Sequence, residues 1–172
     1  MTYRLSKQDY DPYFGTYIGL VPDGSVTKIL EQQLGETLEQ FRNLSEEQGS
    51  FRYAPGKWSL KEVIGHISDT ERIMSYRLLR IARGDKTPLP GFEQDDYVEA
   101  ADFDSHLLSE LMEEYSLVRR STLCLLKGLS EDAPTRRGIV NGKEINVLAL
   151  AYIIAGHELH HRKIINERYG IE

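Results

Sequence analysis

The chain has 172 residues, 40% of them apolar and 28% charged, with a net charge of -6 and a pI near 5.4. That length suits one compact domain spanning residues 1–172, whereas two separate domains would each be unusually small. The acidic balance, with no Lys/Arg-rich run to override it, excludes nucleic acid as an expected partner.

The N-terminus carries neither the basic start nor the apolar block of a secretory signal. After the turn-forming Pro22-Asp23-Gly24, the residues Val26, Ile29, Leu30, Leu34, Leu38, Phe41 and Leu44 fall on one stripe and predict a first helix. Ser59-Leu60-Lys61-Glu62 reads as a capping box, in which the serine hydroxyl and the glutamate carboxylate satisfy free amides of a first turn. It opens a second helix with the stripe Leu60, Val63, Ile64, Ile67, Glu71, Met74, Leu78 and Ile81, and Gly84 is the expected stop. Glu71 is the odd member of that stripe.

The stretch from Asp85 to Asp104 contains Pro88, Pro90, Gly91 and many acids, so it reads as a loop of unusual length. It either covers a site or straps together two helices that are not adjacent. A third helix starts near Asp104 or Ser105, with His106 as a surface residue of its first turn, and runs through Leu108, Leu111, Met112, Tyr115, Val118, Thr122, Leu125 and Leu126 to about Gly128. Cys124 has no second cysteine to pair with, and its leucine neighbours suggest a buried thiol.

Asn141-Gly142 between short alternating segments suggests a tight hairpin, an accessory to the helices. Asn146 caps a fourth helix that is apolar on all sides from Val147 to Ala155, the mark of a helix buried by its neighbours. The apolar block from Ile145 to Gly156 is too short to span a bilayer, so a soluble cytoplasmic protein with no membrane partner is expected. The fold class that emerges is all-α, a four-helix bundle with a long connection between helices two and three.

Five histidines are present, and three of them form a pattern. His157 and His161 lie one helical turn apart on the inward stripe Leu150, Ile153, Ile154, His157, His161, Ile164 and Ile165, so both can offer a ring nitrogen to one ion. His66 on the second helix, at the flank of the apolar stripe beside Val63 and Thr70, can supply a third. Spacing alone leaves His157 with His160 open as the pair, although the inward stripe favours His161. The run His157-Glu158-Leu159-His160-His161 matches H-E-x-x-H, but the eleven residues that follow supply no usual third ligand of a zinc protease. Glu158 is turned about 100° from His157, which suits a solvated or salt-bridged side chain rather than a catalytic one. Glu62, Asp69 and Thr70 are near enough to His66 in sequence to orient a ligand or take a proton, while Trp58, Phe92 and Tyr152 either line the cavity or, as is commoner for buried aromatics in bundles, belong to the core.

The segments Tyr53-Ala54-Pro55-Gly56-Lys57-Trp58-Ser59, Gly65-His66-Ile67-Ser68-Asp69-Thr70-Glu71-Arg72, Pro88-Leu89-Pro90-Gly91-Phe92 and Gly156-His157-Glu158-Leu159-His160-His161 resemble the DinB/YfiT-like superfamily of bacterial metal-binding four-helix bundles. The resemblance covers nearly the whole chain. It implies a divalent metal, nickel or zinc, held by three histidines that map onto His66, His157 and His161. It also implies hydrolase chemistry, with relatives that use low-molecular-weight thiols as transferases or isomerases, and a homodimer.

Three imidazoles leave a coordination position open, which suits catalysis, whereas a structural zinc is usually closed by four protein ligands. The first expectation is a metal-dependent enzyme that activates water and hydrolyses a small-molecule substrate. A thiol in the same position would make it a metal-dependent thiol S-transferase, and binding without turnover would make it a metal- or ligand-binding stress-response protein. Metal binding should weaken below about pH 6, as imidazoles with a reference pKa of about 6.5 take up protons.

Overall fold

The caps legible in the chain set the helix boundaries. A computed structural model describes residues 5–171. A 3-10 turn, Pro12–Phe14, leads into the short helix α1 (Gly15–Ile18), followed by α2 (Val26–Phe41), the single turn α3 (Glu46–Gly49) and α4 (Leu60–Ala82). Ser59 caps α4 through its hydroxyl, which accepts from the Glu62 amide at 3.1 Å, and the Glu62 carboxylate accepts from the Ser59 amide at 2.6 Å. Gly84, at φ +85°, turns the chain away after the helix.

The next segment departs from expectation. It holds helix α5 (Gln94–Ala101) and a 3-10 turn, Phe103–Ser105, before α6 (Leu108–Lys127). His106 is exposed and precedes α6 instead of sitting in its first turn. Cys124 is exposed as well: its leucine neighbours form the inward stripe, and the thiol faces the other way. Strands β1 (Arg137–Val140) and β2 (Lys143–Asn146) form the antiparallel hairpin, with both turn residues, Asn141 and Gly142, at positive φ. Asn146 then caps α7 (Val147–Ile164) by accepting from the Ala149 amide at 2.8 Å, and a π-helical turn, Ile165–Tyr169, follows.

The hairpin does more than decorate the bundle. On one edge Leu89 of the α4–α6 connection donates to the Ile139 carbonyl at 2.9 Å, and on the other Asp11 donates to the Glu144 carbonyl at 3.0 Å. It thereby ties both the connection and the N-terminal segment to the start of α7.

Helix directions follow from the contacts. Arg119 of α6 meets Glu71 of α4, each eleven residues after its helix start, and Ser59 at the start of α4 bonds Asp104 just before α6, so α4 and α6 run parallel side by side. Gln33, Thr37 and Gln40 of α2 meet Ala155, Glu158 and Asn166 in that order, so α2 runs parallel to the α7 segment. Tyr169 beyond α7 reaches Trp58 before α4, so those two helices oppose each other. The long connection therefore joins neighbours. Its length serves to carry the chain back along α4, a helix about 35 Å long, so that α6 can start beside the start of α4. Among the described residues no helix is long and apolar enough to cross a membrane.

Candidate metal centre

Helix α4 carries His66 and the opposing α7 carries His157 and His161, one turn apart, so the three rings meet between two helices. His66 Nε2 lies 3.0 Å from His157 Nε2, and His161 Nε2 lies 3.2 Å from the same atom. One ligating nitrogen from each of the three falls within 4.8 Å of the others. Their exposures are 2, 5 and 8%. His160, the alternative left open by spacing, is half-buried outside this group, its ring against Tyr17 and His161.

Burial above all, then the neighbouring His160, pushes the His66 imidazole down to about 4. His161 is pushed down to about 3, again chiefly by burial. His157 is held well below the ordinary histidine range by burial and by the other three rings. Three neutral rings thus turn nitrogens toward one point where protons are disfavoured, and one nitrogen cannot satisfy two lone-pair neighbours at once. A divalent ion resolves that arrangement. Metal–nitrogen bonds of about 2.0–2.1 Å place neighbouring ligands roughly 3.0–3.4 Å apart, which matches the two shorter separations. The donor set fits the group.

Packing fixes the rings. Trp58 lies against His66 at 4.8 Å between centroids, and Tyr17 of α1 meets His157 edge-on at 5.3 Å. Trp58 thus belongs to the site and is more than core. Tyr17, absent from the sequence reading, is brought close by Gly156: a Cβ there would lie 2.0 Å from the Tyr17 carbonyl oxygen. Tyr152 packs against the core as expected, and its hydroxyl donates to the Gly24 carbonyl at 2.9 Å.

Two clefts flank the histidines. One, of about 370 Å³, is bordered by Tyr17, His66, Thr70, Arg77, Phe92 and His157, among others. The other, of about 360 Å³, is bordered by Trp58, His160, His161 and Tyr169. Gln94 and Asp95, at the start of α5, border both. The α4–α6 connection therefore passes over the centre, as a covering loop would.

The remaining sequence candidates divide. Glu62 is committed to its cap and to Arg52, and Asp69 is half-buried with its pKa raised by desolvation against the pull of Arg72. Thr70 borders the first cleft, and its buried hydroxyl has no hydrogen-bond partner among the described residues. Glu158 is salt-bridged but not solvated: its exposure is 0%. Arg119 Nη2 donates to its Oε2 at 2.5 Å, and Thr37 and Tyr115 donate to its Oε1 at 2.6 and 2.8 Å. Because α7 is also covered on this side, the Glu158 side chain meets α2 and α6 instead of water. Arg119 also holds Glu71 through its Nε at 2.9 Å and Nη2 at 2.8 Å, which accounts for the glutamate on the apolar stripe. Burial opposes the charge on Arg119, but Glu158 and Glu71 outweigh it and hold its pKa above the ordinary value.

Comparison with known proteins places this chain in a wider set. The sequence model of the DinB superfamily matches residues 29–165. A protein of Oceanobacillus iheyensis named "putative metal-dependent hydrolase" is 29% identical over 133 residues, covering 75% of this chain and 73% of its own. The structure of YfiT from Bacillus subtilis, described as a probable metal-dependent hydrolase with an unusual four-helix bundle topology, aligns with a TM-score of 0.75 at 17% identity. That alignment covers 88% of this chain and 94% of the other, and it establishes likeness of fold.

Proposed function

Because this chain belongs to the DinB superfamily, and because three buried imidazoles converge between α4 and α7, we propose that it is a metal-dependent hydrolase acting on a small molecule. The convergence of His66, His157 and His161 carries the reading. These three nitrogens hold zinc or nickel, both of which suit imidazole, with cellular supply choosing between them. A divalent ion there supplies Lewis acidity, polarising a substrate oxygen and acidifying water near neutral pH.

The protein's own groups do the rest. Burial keeps the histidines neutral and ready as donors. Trp58 and Tyr17 lock two of the rings and keep bulk water from their faces. Asp95, exposed and bordering both clefts, would be available to accept a proton from water during hydrolysis. Glu158 is unsuited to that task, since both of its oxygens are engaged on the far side of α7.

Metal content of tag-free protein purified without chelator, measured by mass spectrometry beside His161→Ala, tests the centre. About one equivalent in the parent and a loss in the variant are expected; a parent that takes up neither zinc nor nickel would remove the reading. Turnover of ester and amide probes without added thiol then marks a hydrolase. Turnover only with a low-molecular-weight thiol would instead mark the transferase that the same open position allows.

A further inference from the structure

Arg77 is a buried charge that the metal centre leaves unexplained. Only 5% of it is exposed, and its partners among the described residues are neutral. Nη2 donates to the Pro90 carbonyl oxygen at 2.5 Å, Nη1 donates to the Met74 sulfur at 3.5 Å, and the Phe92 ring covers the guanidinium at 5.6 Å. Burial pulls its pKa down, and the opposing influence comes from Tyr97, not from a carboxylate. A guanidinium stays charged even so. An enclosed cation without a counter-ion is costly, and an anion would complete the site.

A second orphan lies in the same cleft. The Thr70 hydroxyl is buried without a hydrogen-bond partner among the described residues, and Thr70 is only 4% exposed. His66, Thr70, Met74 and Arg77 follow one another at helical spacing, so they form a single stripe along α4. All four border the 370 Å³ cleft. The stripe runs from the converging imidazoles, past an unused hydroxyl, to an unpaired cation. Eleven residues at 1.5 Å each separate the end positions by about 16 Å, which the long arginine, leaning back toward the helix start, shortens to between about 10 and 16 Å. The carboxylates on this cleft, Glu93 and Asp95, are exposed on the connection and make no ion pair with Arg77.

We propose that this cleft takes a small organic anion, with its carboxylate or phosphate seated on Arg77, its body passing Thr70 and its reacting group at the three histidines. The inference rests on the metal reading and adds the substrate class to it. Arg77 is then a specificity-determining residue, and the neutral contacts to Pro90 and Phe92 hold its fork in place for the ligand.

The test uses cobalt(II)-loaded protein, whose visible spectrum reports a thiolate arriving at the metal. Mercaptohexanoate, mercaptohexyl phosphate and the uncharged mercaptohexanol share one thiol and one chain and differ in the far group. The spectrum should respond to at least one of the two anions at roughly ten-fold lower concentration than to the alcohol, as a charge-assisted hydrogen bond would give. The tighter anion identifies the head group. Arg77→Gln should keep the cobalt spectrum and lose the preference, and Arg77→Lys should keep part of it. Equal responses to anions and alcohol in the parent, or none, would overturn the anion while leaving the metal reading intact, as would a preference that survives Arg77→Gln. A parent that takes up no cobalt would overturn both.

Discussion

At the scale of single residues, the consequence of burying three histidines is a shifted pH response. An exposed imidazole titrates near 6.5, and proton competition for a metal would then begin near pH 6. In the folded chain His66 titrates at about 4 and His161 at about 3 because burial penalises the charged ring. The competition should therefore begin well below pH 6. In the metal-free protein the same shift sets stability. The unfolded state takes up protons near pH 6.5 and the folded state near 4, so the histidines' contribution is complete above pH 6.5 and is lost as pH falls through 4. For His66 alone the loss is on the order of 3 kcal/mol. Urea unfolding of chelator-treated protein at neutral pH and near pH 4.5 should show this decline, and His66→Leu should make it shallower by the share of that one ring. An equally steep decline in that variant would place the titration elsewhere. The histidines were legible in the sequence because helical spacing fixes a face. The direction of their pKa shifts was not, because burial depends on what the facing helices bring.

At the scale of elements, the bundle is joined by one arginine. Arg119 of α6 binds Glu71 of α4 and Glu158 of α7, and its Nη1 donates to the Leu30 carbonyl of α2 at 3.2 Å. All four long helices thus meet at one side chain. Both acids stood out in the sequence, one on an apolar stripe and one inside a histidine motif. Their shared partner was missed, although Arg119 lies four residues after Tyr115 on the inward face of its own helix. An arginine on one inward stripe and a glutamate on another were the available signal. Removing the cation should cost more than removing either acid. Arg119→Met leaves two carboxylates enclosed without a counter-charge and should destabilise the fold by about 3 to 5 kcal/mol. Glu71→Gln keeps an Arg119–Glu158 pair and should cost less. Denaturant midpoints of the two variants give the comparison, and a smaller loss in Arg119→Met than in Glu71→Gln would show that the arginine is not the joint.

At the scale of the whole molecule, the polar groups form a waist. One apolar cluster, with Leu30, Leu78, Leu150 and Ile153, lies on one side, and another, with Phe41, Leu60, Leu111 and Ile165, lies on the other. Between them sit His66, Glu71, Arg119, His157, Glu158 and His161, all buried. Capping residues and apolar stripes made four helices readable, together with the starts of α4 and α7, whereas the start of α6 lies a few residues later than its stripe suggested. Helix direction was not readable, because a stripe looks the same whichever way its helix runs, and the parallel pairing of α4 with α6 depends on where the connection docks. The helical turns within that connection were hidden by its prolines and acids. A waist that draws ligands from two opposed helices makes metal binding a property of the global fold, since unfolding either helix disperses the site. Metal at about a thousand-fold excess over its dissociation constant should therefore add about 4 kcal/mol to unfolding of the whole chain. For a domain of this size that corresponds to a rise of roughly 8 to 16 °C in Tm. Calorimetry with and without zinc or nickel reads the shift, which should appear in a single transition and vanish in His161→Ala. A rise of the same size in His161→Ala would mean that the stabilising metal sits outside the waist.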